Sequence, residues 1–404
     1  MSPKTITPCG DSMMGRAPRV HRPVLFLLIL PLLFVAQDVT WGIGEHCSLK
    51  AAAERLSCYE RVLDDIIRSQ GTRQALVELQ QLVEHDQEAR RQAHPLAHHI
   101  GRLSYLSYNN SVAQAFQQCT DGFASGCYHG VLEAHLSGFP HLVPADVAEV
   151  CRPVLDPVRP AFTHFLCVHG LGHGLTMYFK GDILKALSYC DGLTSGDHEE
   201  CYGGVFMQNI VTFDRQGARH DSHGGHTGHN ATAEKKKHLD PNDQLYPCTV
   251  VAKKYLRACY MLQSSGILAM NGDNFAKTFT ACEKAPAEYL KVCIASVGRD
   301  ISAFTLNNPK ATKAMCGIAP PHLIGPCLRG AARDFFYTRA DTGLALALCR
   351  IADDANKKDC YKGIRDIIID FYPDEQKRKE VCRTAERGYQ ALCWGASRWM
   401  FWLD

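Results

Sequence analysis

The sequence predicts an all-α fold: an αα-hairpin repeat solenoid, with a repeat of about 33–40 residues, stapled by sequential disulfides. Three observations predict it. Of nineteen cysteines, Cys9 falls in a leader-like segment and the other eighteen form nine sequential couples. These are Cys47-Cys58, Cys119-Cys127, Cys151-Cys167, Cys190-Cys201, Cys248-Cys259, Cys282-Cys293, Cys316-Cys327, Cys349-Cys360 and Cys382-Cys393. Seven couples share a separation of eleven residues, which points to local staples rather than long-range bridges. The second cysteines from Cys259 onward step by 34, 34, 33 and 33 residues. That is the period of a helix-turn-helix unit, which must stack on its neighbours to bury its apolar face. The text around the second cysteine also recurs, as in GCYHGVLEAH, LCVHGLGHGL, VCIASVGRDI and DCYKGIRDII.

Taken in order, the chain opens with Arg16, Arg19 and Arg22 ahead of a thirteen-residue apolar run, Val24 to Ala36, broken only by Pro31. Residues 1–40 therefore read as a signal peptide or N-terminal anchor. The run falls short of the roughly 20 residues of a comfortable membrane span, so membrane contact is expected only if the segment stays uncleaved. A secreted or periplasmic destination follows, and an oxidising compartment permits the disulfides. Residues 41–215 carry the N-terminal repeats, 216–245 a His-rich exposed loop, and 246–404 the C-terminal repeats with a capping repeat.

The repeat from Asn274 to Phe304 shows the unit most clearly. Asn274 opens helix A, Cys282 lies near its end, Pro286 marks the turn, and helix B runs from about Glu288 through Cys293. The last repeat starts at Pro373-Asp374-Glu375 and turns at Gly388, with Trp394, Trp399 and Trp402 expected to close the array. One repeat is hidden. Aligning His94 with His129 and His169 puts Gln92 where a helix B cysteine should stand, and Leu76 to Arg91 becomes a helix A without its cysteine.

In repeat length and staple, the architecture resembles secreted cysteine-rich helical-repeat proteins of the Sel1/tetratricopeptide-like type. The resemblance implies the fold alone, because the Sel1 consensus itself is absent and a fold does not set a function.

Numbered from each helix B cysteine, positions +2 and +6 share a face. They are His94 and His98 in the hidden repeat, His129 and Glu133 in the next, and His169 and His173 in the third. Three adjacent helices thus offer five imidazoles and one carboxylate over a surface roughly 20 Å wide. Imidazoles one helical turn apart suit zinc, copper or iron, and helical di-metal sites gather His and Glu from several helices. The five histidines are the expected ligands. Glu133 is a sixth ligand or a general base acting on metal-bound water, and Met207 and Gln208 border the groove. His220, His223, His226 and His229 recur every three residues in the exposed loop, as an auxiliary metal-scavenging run or a solvated segment.

Later repeats change character. Arg299 and Arg333 stand at +6, Arg329 and Lys362 at +2, with Asp300, Asp334 and Asp366 close by. Salt bridges between neighbouring helices are one reading of this stripe; an acidic peptide or protein partner on the Arg299/Arg333 face is the other. A formal net charge of +2 gives no reason to expect nucleic acid. No GxSxG, Walker A or dinucleotide fingerprint occurs, and paired cysteines leave no thiol nucleophile. Chemistry is therefore expected to pass through a transition metal, in a Cu/Fe oxidoreductase or a Zn hydrolase. The alternative is a non-catalytic solenoid for partner binding or metal carriage.

Overall fold

The computed structural model describes residues 47, 49–123, 125–152, 154, 160–220, 238–339 and 342–395. The expected leader, His223, His226, His229, Trp399 and Trp402 lie outside them. Among the described residues the array is built from helices and turns, with no named strand. In chain order the α-helices are Ala52–Gln70 (α1), Thr72–His85 (α2), Gln87–Arg91 (α3), Ala93–Ser107 (α4), Val112–Phe116 (α5), Gly126–Ser137 (α6) and Pro144–Val150 (α7). Then follow Pro160–Tyr178 (α8), Ile183–Cys190 (α9), His198–His220 (α10), Leu256–Met270 (α11), Phe275–Cys282 (α12) and Ala287–Phe304 (α13). The array ends with Pro309–Cys316 (α14), Ile324–Arg339 (α15), Thr342–Ile351 (α16), Asp354–Phe371 (α17), Glu375–Cys382 (α18) and Gln390–Trp394 (α19).

Short A helices alternate with longer B helices, and all nine expected cysteine couples are bonded. Helices of eight residues such as α12, α14 and α18 are too short to hold by themselves. Each is fixed at both ends. Asn274, Asn308 and Asp374 cap their starts by accepting a backbone N–H, and a disulfide ties each last residue to the B helix that follows. Closing so short a loop stabilises by up to roughly 3 kcal/mol in the chain-entropy model.

Successive B helices, α4, α6, α8, α10, α11, α13, α15 and α17, pack side by side in that order. Their separation is set by glycine. A Cβ on Gly130 would stand 1.9 Å from the His98 carbonyl oxygen, and one on Gly204 1.9 Å from that of His169. The backbones are in direct contact there, so a methyl group has no flexible neighbour to displace. Gly130→Ala is expected to destabilise the fold by about 1–3 kcal/mol or more, whereas Gly388→Ala, with nothing within 4 Å of its Cβ, should leave the denaturation midpoint unchanged. Equal midpoints in urea for the two variants would refute this account of the stack.

Two segments differ from the sequence reading. The hidden repeat's first helix begins at Thr72 and breaks at Asp86, whose carboxylate caps α3 by accepting from the Glu88 and Ala89 N–H groups. The expected exposed loop is narrower at both ends. Helix α10 continues to His220, and His238 is buried, exchanging hydrogen bonds of 2.7 and 2.8 Å with Asn209. Leu239 and Leu245 are buried beside it, so apolar residues draw this stretch onto the array.

Candidate metal centre

The three helix faces that the repeat register superposes, on α4, α6 and α8, do meet. The imidazoles are not spread over the wide surface that helix spacing implied. Their ring centroids lie 4.4 Å apart for His94–His98 and for His129–His173, 5.1 Å for His169–His173, and no more than 6.3 Å for His94–His173. The glycine contacts are the reason: with backbones touching at Gly130, side chains from neighbouring helices reach one point.

His129 sits at the centre. Its ring lies 5.5, 5.3 and 5.2 Å from those of His94, His98 and His169, and stacks on His173. It is 1% exposed, and neither ring nitrogen has a hydrogen-bond partner. A buried polar atom left unpaired costs about 1–3 kcal/mol, so two on one ring call for an explanation.

Three of the other four rings are oriented by oxygens that accept. His98 Nδ1 donates to Glu133 Oε1 at 2.6 Å, and His94 Nδ1 donates to the Phe123 carbonyl at 2.7 Å. His173 Nδ1 donates to Gln208 Oε1 at 2.9 Å, the amide being turned by its own Nε2 donating to Thr212 Oγ1. The Glu200 backbone lies beside the His169 imidazole and favours its charged form, against the larger effect of burial. A neutral imidazole has one N–H. In His94 and His173 it is spent outward on Nδ1, which turns the Nε2 lone pairs inward, and His98 Nδ1 is likewise turned outward onto Glu133. His98 Nε2 lies 2.9 Å from His94 Nε2, and His173 Nε2 lies 3.3 Å from His169 Nε2. Each contact is a hydrogen bond when one Nε2 carries a proton and a lone-pair repulsion when neither does, and a metal ion between the two nitrogens relieves that repulsion.

Protonation is disfavoured at four of the five rings. Burial pushes His94 down to about 3 and His169 down to about 4, with the neighbouring imidazoles adding to the effect at His94 and Arg333 and Arg299 adding to it at His169. His129 and His173 are lowered well below the ordinary value, first by burial and then by the other histidines. A metal ion fits better. Two nitrogens bound at about 2.05 Å stand about 2.9 Å apart at a right angle and about 3.3 Å apart at a tetrahedral angle. Ligand atoms of His94, His98 and His129 form one set that could hold an ion, and those of His129, His169 and His173 form another.

Glu133 lies beside the cluster with both oxygens engaged. Oε1 accepts from His98, and Oε2 accepts from Arg102 at 2.9 Å. Burial by itself would raise its carboxyl; His98 and Arg102 outweigh that and hold it well below the usual range. Its oxygen also lies within 4.8 Å of ligand atoms of His98 and His173. Gln208 orients His173, whereas Met207, half-buried, packs against the core. His220 ends α10, and its side chain is outside the described residues. Histidines off the +2/+6 register lie elsewhere: His99 on Asp64, His135 beside Tyr105, His164 on Asp197.

No pattern in the chain marks Phe123 or Arg102 as partners of the site. Phe123 follows no repeat rule; it adopts φ 56°, a left-handed conformation rare for a bulky residue, and this turns its carbonyl toward His94.

In the later repeats charges are paired both within and between helices. Arg329 grips Asp366 with two hydrogen bonds of 2.7 and 3.1 Å, and Arg299 bonds Asp300 and Ser265. Lys362 lies 3.7 Å from Asp359.

Searches against protein-family models, curated proteins and solved structures find no match to this chain. Fold and site together define a disulfide-stapled helical-repeat protein with buried histidine clusters that could hold a metal ion. Its disulfides suggest an oxidising extracellular or periplasmic environment. Among the described residues no helix is long and apolar enough to cross a membrane.

Proposed function

We propose that this is an exported metalloprotein whose five histidines, His94, His98, His129, His169 and His173, hold a mono- or dinuclear transition-metal centre. One observation carries the reading: Nδ1 of His94, His98 and His173 is turned outward to acceptors, Nε2 atoms face one another at 2.9 and 3.3 Å, and His129 has no partner on either nitrogen. Metal-ligating histidines are oriented in this way, by a carboxylate, carbonyl or amide behind the ring. An all-imidazole set suits Zn, Cu, Fe or Ni. A dinuclear arrangement takes one ion at the His94/His98 pair and one at the His169/His173 pair, with His129 between them.

The centre serves chemistry rather than architecture, because nine disulfides already hold the array. Five neutral ligands leave the full charge of the ion available for a Lewis-acid or redox role, the metal-dependent enzyme expected from the sequence. Glu133 then positions His98 and raises its basicity instead of acting on water itself, since both its oxygens are taken. Elemental analysis of the purified chain tests the centre: one or two equivalents of a transition metal are expected, and a wild-type protein free of metal after reconstitution would overturn it. Glu133→Gln is expected to lower metal affinity about 10–100-fold without emptying the site, as measured by competition with a chelator. An unchanged affinity would remove Glu133 from the ligand-orienting role.

A further inference from the structure

His129 stands on α6, the middle one of three helices, with α4 packed on one side and α8 on the other. It belongs to both sets of ligand atoms that could hold an ion, with His94 and His98 of α4 and with His169 and His173 of α8. Its ring lies 5.3 Å from that of His98 on one side and 5.2 Å from that of His169 on the other. Gly170 of α8 shows which way the ring faces. An added Cβ there would stand 3.5 Å from His129 Cδ2. The Cδ2 edge, which Nε2 adjoins, is therefore turned to α8, and Nδ1 lies across the ring from it.

Among the described residues, His129 is the histidine with both ring nitrogens buried and unpartnered. In His94, His98 and His173 the Nδ1 atom is already engaged, by Phe123, Glu133 and Gln208. A neutral imidazole carries one lone pair and one N–H. A single metal ion would satisfy the lone pair of His129 and leave the N–H buried without an acceptor, which is costly. Without that proton the ring has two lone pairs, one for each side.

We propose that His129 bridges two transition-metal ions as an imidazolate, with one ring nitrogen on the ion held by His94 and His98 and the other on the ion held by His169 and His173. The bridge rests on the metal reading and deepens it, because the two ions are joined through one ring. The first ion takes the lone pair of the neutral imidazole. When the second binds, its charge drives the N–H proton off to solvent, and the electron pair left behind forms the second metal–nitrogen bond. No oxidant or reductant is needed. With both ions bound, His129 is the one anionic imidazole of the five.

Electron spin resonance with Cu²⁺ as the probe tests this, because two copper(II) spins joined by an imidazolate pair antiferromagnetically and lose their signal on cooling. Full-length protein stripped of metal is titrated with Cu²⁺, and bound copper from elemental analysis is compared with the low-temperature spin count of the same samples. Two bound ions are expected to give the signal of less than one spin. H129A is expected to show every copper it binds as a visible spin. Imidazole added to H129A should restore the loss of signal by filling the vacated place, and N-methylimidazole, with one nitrogen blocked, should not. Should H129A fail to fold, H129F, which keeps the bulk of the ring and offers no nitrogen, is read in its place. Two ions with both spins visible in the wild type, a single ion at saturation, a loss of signal that survives in the folded variant, or equal restoration by the two additives would each overturn the bridge and leave the metal reading intact. Wild-type protein that binds no copper would overturn the metal reading, and the bridge with it.

Discussion

His173→Ala is expected to remove stoichiometric metal from the purified protein and to weaken its affinity by about 100-fold or more. The magnitude follows from sharing the roughly 10–16 kcal/mol of a four-ligand structural zinc site among its ligands, which assigns about 3 kcal/mol, or about two decades, to each. His173 is the right ligand to remove because it is fully buried, its Nδ1 is fixed by Gln208, and its ring touches His129, His169, His98 and His94. The control is His99→Ala, which removes an imidazole from the repeat of His94 and His98 but one that is bonded to Asp64 outside the cluster. Elemental analysis after dialysis against a weak chelator reads both. Full metal retention by the His173 variant would refute the ligand set, and equal loss in both variants would mean that metal follows general stability.

Acidification is expected to destabilise the metal-free protein between pH 6.5 and about 4. His94 and His169 have folded-state values near 3 and 4 against an ordinary 6.5. As pH falls, the unfolded chain takes up these protons first. The stabilisation is therefore complete above 6.5 and is lost as pH drops toward the folded values. Each such histidine contributes a slope of up to about 1.4 kcal/mol per pH unit, and His129 and His173, lowered in the same direction, add to it. Urea unfolding with the disulfides intact should show a midpoint that falls steeply over this window. Metal should protect, because a ligated imidazole cannot accept a proton. A midpoint indifferent to pH from 7 to 4 would show that the cluster is already solvated or protonated in the folded state.

Much of the fold was legible because each repeat writes its own boundary conditions locally. Asn274, Asn308 and Asp374 cap, a cysteine ends helix A, and its partner eleven residues on starts helix B; none of this needs knowledge of distant residues. The candidate ligands were legible for a related reason. A repeat imposes a register, and a register says that His94, His129 and His169 occupy equivalent places even where Gln92 replaces the cysteine. The hidden repeat's helix was misjudged at its start, and the loop at its ends, because Thr72, Asp86 and Leu239 follow no repeat rule.

By itself, then, the sequence determined the helical array, its staples and which histidines share a face, since periodicity and short-range covalent closure are properties of the chain. Only the tertiary structure decided how close those histidines come, because that depends on backbone contact at Gly130 and Gly204 between separate helices. It also decided the tautomers, which hang on a Phe123 carbonyl, a Glu133 carboxylate held by Arg102 and a Gln208 amide held by Thr212. The approach of α8 to α15 belongs there too. It follows from aromatic packing between α8 and α15, and no local pattern encodes a contact between elements so far apart in the chain.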